Sequence, residues 1–188
     1  MEADVATWEK LESKQIADCR VFRVREDVSK RSDGVRGTFF VLENPDWVNI
    51  IAVTKDEQVV LIEQFRHGTE NVILEIPGGM IDGDESPADA AKRELLEETG
   101  YSSQNWVLLG RSHPNPAIQN NWVYHYLALD CDRTADVSFD EHENIATELM
   151  PLSDVSKLIA DGRITHSLVI AAFYYLTSGR RNHENITF

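Results

Sequence analysis

The chain has 188 residues, 42% hydrophobic and 27% charged, which fits one soluble globular domain, or one domain with an extension, that buries its own core. A formal net charge of −14 and a pI near 4.7 argue against nucleic acid or an anionic membrane as a bulk partner. No stretch approaches the roughly 18 apolar residues of a membrane span, and the start, MEADVATWEK, has neither basic flank nor apolar run, so a cytoplasmic protein is expected.

Residues 7–43 read as strands. CRVFRVREDV alternates apolar with polar, SKRSDG supplies a turn, and VRGTFFVLE returns, an antiparallel hairpin with arginines along one side. Asn44-Pro45-Asp46 breaks the pattern and divides an N-terminal β-extension, 1–44, from a main domain, 45–188. WVNIIAVT and QVVLIEQF follow as strands joined by the polar turn KDE, and VILEI runs straight into Pro77-Gly78-Gly79. Ser86-Pro87 opens a helix whose Ala91 and Leu95 face the core and whose C-cap is Gly100.

WVLLG and NWVYHYLALD predict two more strands, separated by the stiff loop SHPNPAIQN. The acidic loop DVSFDEHEN precedes a short strand around Leu149. Ser153 is expected to cap a helix ending near Asp161-Gly162, and a last helix over 167–176 sets Leu168, Ala171, Ala172, Tyr175 and Leu176 at core spacing. Cys19 and Cys131 fit no metal-ligand spacing and read as two buried free thiols. The class is α+β, a mixed sheet with a few helices packed on it.

The chemistry concentrates in residues 79–101, GMIDGDESPADAAKRELLEETGY. Spacings of three and four put Glu94, Glu97 and Glu98 on one side of the helix, where like charges repel by a few tenths of a kcal/mol per pair. Such a cluster beside a Gly-rich turn calls for a cation, and a hard divalent one prefers carboxylate oxygens. Arg93, four before Glu97, can hold that carboxylate, and Glu85 can pair with Arg93. A glutamate pair on a helix is ordinarily a solvated face, but that reading does not account for the glycines, Arg93 and Glu85 at fixed places. DGDES resembles part of a calcium loop, yet Pro87 stands where that loop needs glycine.

Position by position the stretch reads G-x5-E-x7-R-E-U-x-E-E-x-G-U, with U a bulky apolar residue. Gly79, Glu85, Arg93, Glu94, Leu95, Glu97, Glu98 and Gly100 fill it, and Tyr101 takes the last place, where an aliphatic residue is commoner. This resembles the Nudix box, the signature of hydrolases acting on a nucleoside diphosphate linked to another group. The resemblance implies a Nudix α/β/α sandwich with a mixed sheet, and an N-terminal antiparallel extension used for homodimerisation. It also implies roughly two or three Mg2+ or Mn2+ ions that bridge a diphosphate. Glu94 and Glu98 would be the main ligands, Glu97 would share or adjoin them, and the Gly78 carbonyl would complete one site. The acidic loop would supply Glu141 as general base and Glu143 as a further ligand, with His142 the alternative base.

Glu63-Gln64-Phe65-Arg66 followed by LEIPGGMID is similar to the ADP-ribose and nucleotide-sugar pyrophosphatase branch. There Arg66 would contact substrate, against the plain reading of a surface arginine at a strand end. Pro116, sixteen residues after Gly100, matches the proline of ADP-ribose-cleaving members, or simply stiffens its loop. The implied reaction splits ADP-ribose to AMP and ribose 5-phosphate; GDP-mannose, or a broad range of nucleoside diphosphate sugars, is the alternative. A non-catalytic module that senses a nucleotide sugar is the rival of another class. Where the branch often stacks the base on a partner's aromatic, this chain has Ile16 and Ala17, with Trp8 and Phe22 nearby, so no base-stacking residue is assigned. Arg20, Arg23, Arg25 and Arg36 are open to phosphate, to sugar or to a dimer seam.

Overall fold

The structure is a computed structural model that describes residues 5–139 and 144–179. Its strands and helices group into two compact units. One holds the chain up to Pro45 together with His113–Trp122, the other Asp46–Ser112 and the residues from Val123 onward.

In the first unit β1 (Trp8–Asp18), β2 (Arg23–Arg31) and β3 (Arg36–Glu43) form an antiparallel sheet in that order. The expected hairpin is therefore three-stranded. Every residue of β1, WEKLESKQIAD, is exposed, so no buried face imposes the alternation by which a strand is recognised in sequence. Asp27, 5% exposed, accepts from Ser13 Oγ at 2.6 Å and Arg25 Nε at 2.9 Å, while Arg25 Nη1 donates to Glu43 at 2.6 Å. Arg25 is thus engaged within its own sheet. The segment His113–Trp122 joins this unit through the Leu42 N–H to the Ile118 carbonyl, 2.7 Å, and through Asn121 Nδ2 to the Pro45 carbonyl, 3.0 Å. Pro116 lies within it. Cys19 is exposed rather than buried, because it sits at the turn between β1 and β2; only Cys131 is interior.

In the second unit β4 (Trp47–Thr54) is central. The main path of the sheet runs β11 (Ile145–Pro151), β5 (Gln58–Arg66), β4, β10 (Val123–Arg133) and the two-residue β8 (Tyr101–Ser102). β6 (Asn71–Glu75), β7 (Gly78–Met80) and β9 (Asn105–Ser112) add onto β5, β4 and β10. The β4–β10 pair is parallel and the other pairs antiparallel, so the sheet is mixed. Successive β4 residues point to opposite faces, and both faces are covered, which is why the strand reads as an apolar run and not an alternation. Val48, Ile50 and Ala52 pack with Ala90, Ala91 and Leu95 of α1 (Pro87–Thr99). Ile51 and Val53 pack with Val169, Ala172, Phe173 and Leu176 of α3 (Ser167–Ser178). This is the expected α+β fold, with helix, sheet and helix in layers.

Two helical details differ from expectation. In α3, Val169 and Phe173 are buried, while Ala171 and Tyr175 are only partly so. Ser153 does not cap α2 (Val155–Ala160); it lies inside a 3-10 turn, Leu152–Asp154, and makes no capping hydrogen bond. The α1 ends are as expected: Ser86 Oγ accepts the Asp89 N–H at 3.1 Å, Pro87 opens the helix, and Gly100 closes it at φ 74°. Among the described residues no helix is long and apolar enough to cross a membrane.

Candidate active site

The short strand β7 brings two glycines against β4 and α1 at distances only glycine allows. A Cβ on Gly78 would stand 2.3 Å from the Val48 carbonyl oxygen, and one on Gly79 would stand 2.3 Å from Glu94 Oε1. The Glu94 carboxylate therefore fills the space a side chain would take, packed against the loop backbone. One helical turn on, Glu98, 3% exposed, accepts the Gly78 N–H at 2.9 Å through Oε2. Two carboxylates of one helix face thus clasp consecutive residues of the loop.

Arg93 organises the rest. Its Nη1 donates to Glu94 Oε1 at 2.9 Å and Glu97 Oε2 at 3.1 Å. Nε and Nη2 reach Glu85 at 3.2 and 3.0 Å, and Nη2 also donates to the Met80 carbonyl at 3.0 Å. Hydrogen bonds donated to Glu85, with Glu94 and Glu97 behind them, hold the guanidinium charged well above its ordinary range despite partial burial. Arg93 in turn lowers the Glu85 carboxyl below its usual value. The expected Glu85–Arg93–Glu97 arrangement is present, with Glu94 added to it. Three glutamates share one arginine, so the cluster keeps a surplus of negative charge.

The NUDIX domain model matches residues 44–173. The chain belongs to the NUDIX family. It is 28% identical over 167 residues to the methanol dehydrogenase activator of Bacillus methanolicus, a match covering 88% of this chain and 90% of that protein. It is likewise 28% identical over 173 residues to the ADP-ribose pyrophosphatase of Bacillus subtilis (strain 168), covering 88% and 93%. A crystal structure of an ADP compounds hydrolase matches with a TM-score of 0.86 over 98% of this chain and 100% of that one, at 23% identity, which speaks for the Nudix fold.

Nudix hydrolases are generally dependent on divalent metal. The donor set of this chain fits such an ion in kind: hard carboxylate oxygens on one helix face, pressed onto a loop that glycine has cleared. Among the described residues, however, no group of three or more His, Cys, Asp or Glu is arranged to hold one. The reason is visible in the contacts, since Glu94 and Glu97 turn to Arg93 and Glu98 to the Gly78 amide. Glu141 and Glu143, and the alternative base His142, lie outside the described residues.

Arg66, at the end of β5, meets a residue that sequence reasoning passed over. Its Nε and Nη2 donate to the two oxygens of Glu75 at 3.1 and 2.5 Å, a bidentate fork. Glu75 is 2% exposed, and His166, just before α3, places Nδ1 3.2 Å from its Oε1. That ring nitrogen makes no hydrogen bond, so the contact is one of proximity. Burial alone would raise the Glu75 pKa, but His166 and Arg66 outweigh it and the carboxyl is held below its usual range. The signal for Glu75 was present in the sequence: a lone acid within the apolar run VILEI.

His125 is a further buried polar residue, fully enclosed on β10. Its Nε2 lies 2.9 Å from Ser112 Oγ and its ring stacks on Tyr175 at 5.3 Å between centroids. Burial lowers its pKa to about 4, so the imidazole is neutral at physiological pH.

Proposed function

We propose that this chain is a Nudix hydrolase that splits the pyrophosphate bond of a nucleoside diphosphate sugar, with ADP-ribose the first substrate, to AMP and ribose 5-phosphate. The observation that carries it is the assembled box: Glu94, Glu97 and Glu98 on one helix face, organised by Arg93 and Glu85 and pressed onto Gly78-Gly79. The similarity to the Bacillus subtilis ADP-ribose pyrophosphatase supports that substrate.

In this reading Glu94, Glu98, Glu97, Glu143 and the Gly78 carbonyl hold two to three Mg2+ or Mn2+ ions, as the box resemblance implies. Bound there, such ions neutralise the diphosphate and lower the pKa of the attacking water. Glu141 accepts a proton from that water, whose oxygen joins one phosphorus as the bridging P–O bond breaks. Arg93 keeps Glu94 and Glu97 in place, Arg66 steadies the phosphates, and Pro116 shapes a loop at the substrate. Glu97 assists as a ligand or by orienting the water.

The N-terminal 1–44 acts as a dimerisation extension to the Nudix domain of 45–188. Exposed Trp8, Leu11, Ile16, Phe39 and Phe40 give its sheet the apolar surface that a second copy would cover. A cytoplasmic homodimer acting on a soluble nucleotide sugar follows. A sensing module has no need of the full carboxylate set, which favours catalysis.

The test is incubation with Mg2+ and a panel of nucleoside diphosphate sugars, following release of nucleoside monophosphate. Release of AMP from ADP-ribose in preference to the rest is expected. Retained binding with no release from any substrate would overturn the enzymatic reading.

A further inference from the structure

Arg66 is a long, flexible side chain at the end of β5, with 42% of its side chain exposed. Left alone, it would sample many rotamers and lose that freedom on binding a phosphate. In this structure it does not stand alone. Nε and Nη2 bind the two oxygens of Glu75 side-on, which fixes the guanidinium plane. Nη1 takes no hydrogen-bond partner among the described residues.

Glu75 is itself an expensive group to bury. A charge at 2% exposure persists only when paired, and the structure pairs it from two directions, with Arg66 of β5 and His166 at the start of α3. A salt bridge meant only for stability gains little from such a position, since apolar residues of similar volume do as well. Glu75 also lies three residues before Gly78, so extended chain keeps their backbones within about 10 Å of each other. The clamp on Arg66 is therefore tethered to the same loop that Glu94 and Glu98 grip.

We propose that Glu75 is a positioning residue for the hydrolytic reaction: it holds the Arg66 fork in one plane and leaves Nη1 for a substrate phosphate oxygen. His166 packs its Nδ1 3.2 Å from the same Oε1 that takes Arg66 Nε, so the surroundings of the clamp span β5, β6 and the entry to α3. This inference rests on Arg66 contacting substrate, and the test separates the two ideas.

Four variants decide it: R66A, R66K, E75Q and the double variant E75Q/R66A, with KM and kcat for ADP-ribose in Mg2+ and Tm for each. R66A raises KM about tenfold or more with kcat nearly unchanged, the signature of lost uniform binding. E75Q raises KM by a similar factor of about ten with kcat within about twofold, and adds nothing further in the R66A background. R66K keeps the charge but lacks the planar fork, so it matches E75Q and carries the test if E75Q folds poorly. Wild-type KM in R66A would remove the Arg66 reading and with it this inference. An impaired R66A beside wild-type KM in E75Q would overturn the inference alone. So would independent, multiplying effects in the double variant.

Discussion

Two charge clusters of the second unit are built as inverses of one another. At α1 a single arginine, Arg93, is divided among Glu85, Glu94 and Glu97, and negative charge is left over. At the β5–β6 hairpin a single buried carboxylate, Glu75, is shared between Arg66 and His166, and no negative surplus remains. On the proposed reading the first arrangement receives a cation, the second presents a cationic side chain to an anion, and a metal-bound diphosphate would meet both. One short stretch of chain, from Glu75 to Gly78, links them.

The largest expected effect probes the acidic cluster. Gln at position 98 retains an oxygen to accept the Gly78 N–H but loses the charge, so E98Q should fold normally and lose about a thousandfold in kcat. A single-turnover assay beside a thermal melt checks both halves. Near wild-type turnover would remove Glu98 from the metal set and leave the acidic cluster a structural device.

The pH dependence of stability sharpens the comparison next. Glu85 and Glu75 both have depressed pKa values, so their contributions are complete above the ordinary carboxylate range and fade only as pH falls through the lowered folded values. Neither of these two carboxylates discharges between pH 7 and 5. His125 does act there: its folded value of about 4 lies below the unfolded imidazole, so stability is full above the unfolded pKa and is lost as pH falls toward 4. That loss should be about 2 kcal/mol between pH 7 and 5 in urea melts, and H125N should flatten it. A slope unchanged in H125N would place the discharge in one of the clusters instead.

The smallest effect concerns the helix that carries the acidic cluster. S86A removes the acceptor for the Asp89 N–H and should cost about 1 kcal/mol of stability while leaving kcat unchanged. Urea midpoints and initial rates test it. A large fall in kcat would mean that the start of α1 is coupled to the carboxylates and not merely their support.

The box was legible because its constraints are local. Helical spacing alone gathers Glu94, Glu97 and Glu98, and the pairing of Glu85 with Arg93 follows from one turn and one loop. The apolar runs of β4 and β5 were equally plain, since burial on both faces keeps residues 50–53 and 59–62 wholly apolar. Harder to read was β1, whose exposed residues carry no burial signal. In α3 the wrong stripe was favoured at two places, because nearly all of that helix is apolar and only the packing against β4 and β10 chooses Val169 and Phe173.

What the sequence determined by itself is the Nudix box, since its residues are neighbours along one helix and the turn before it. The tertiary structure alone decided that Glu75 holds Arg66 beside His166. Arg66 and Glu75 meet only through the pairing of β5 with β6, and His166, far along the chain, joins them only when the start of α3 packs there. Helical periodicity expresses contacts within about a turn. A buried charge is partnered across the fold, and its partners carry no spacing that a linear reading can detect.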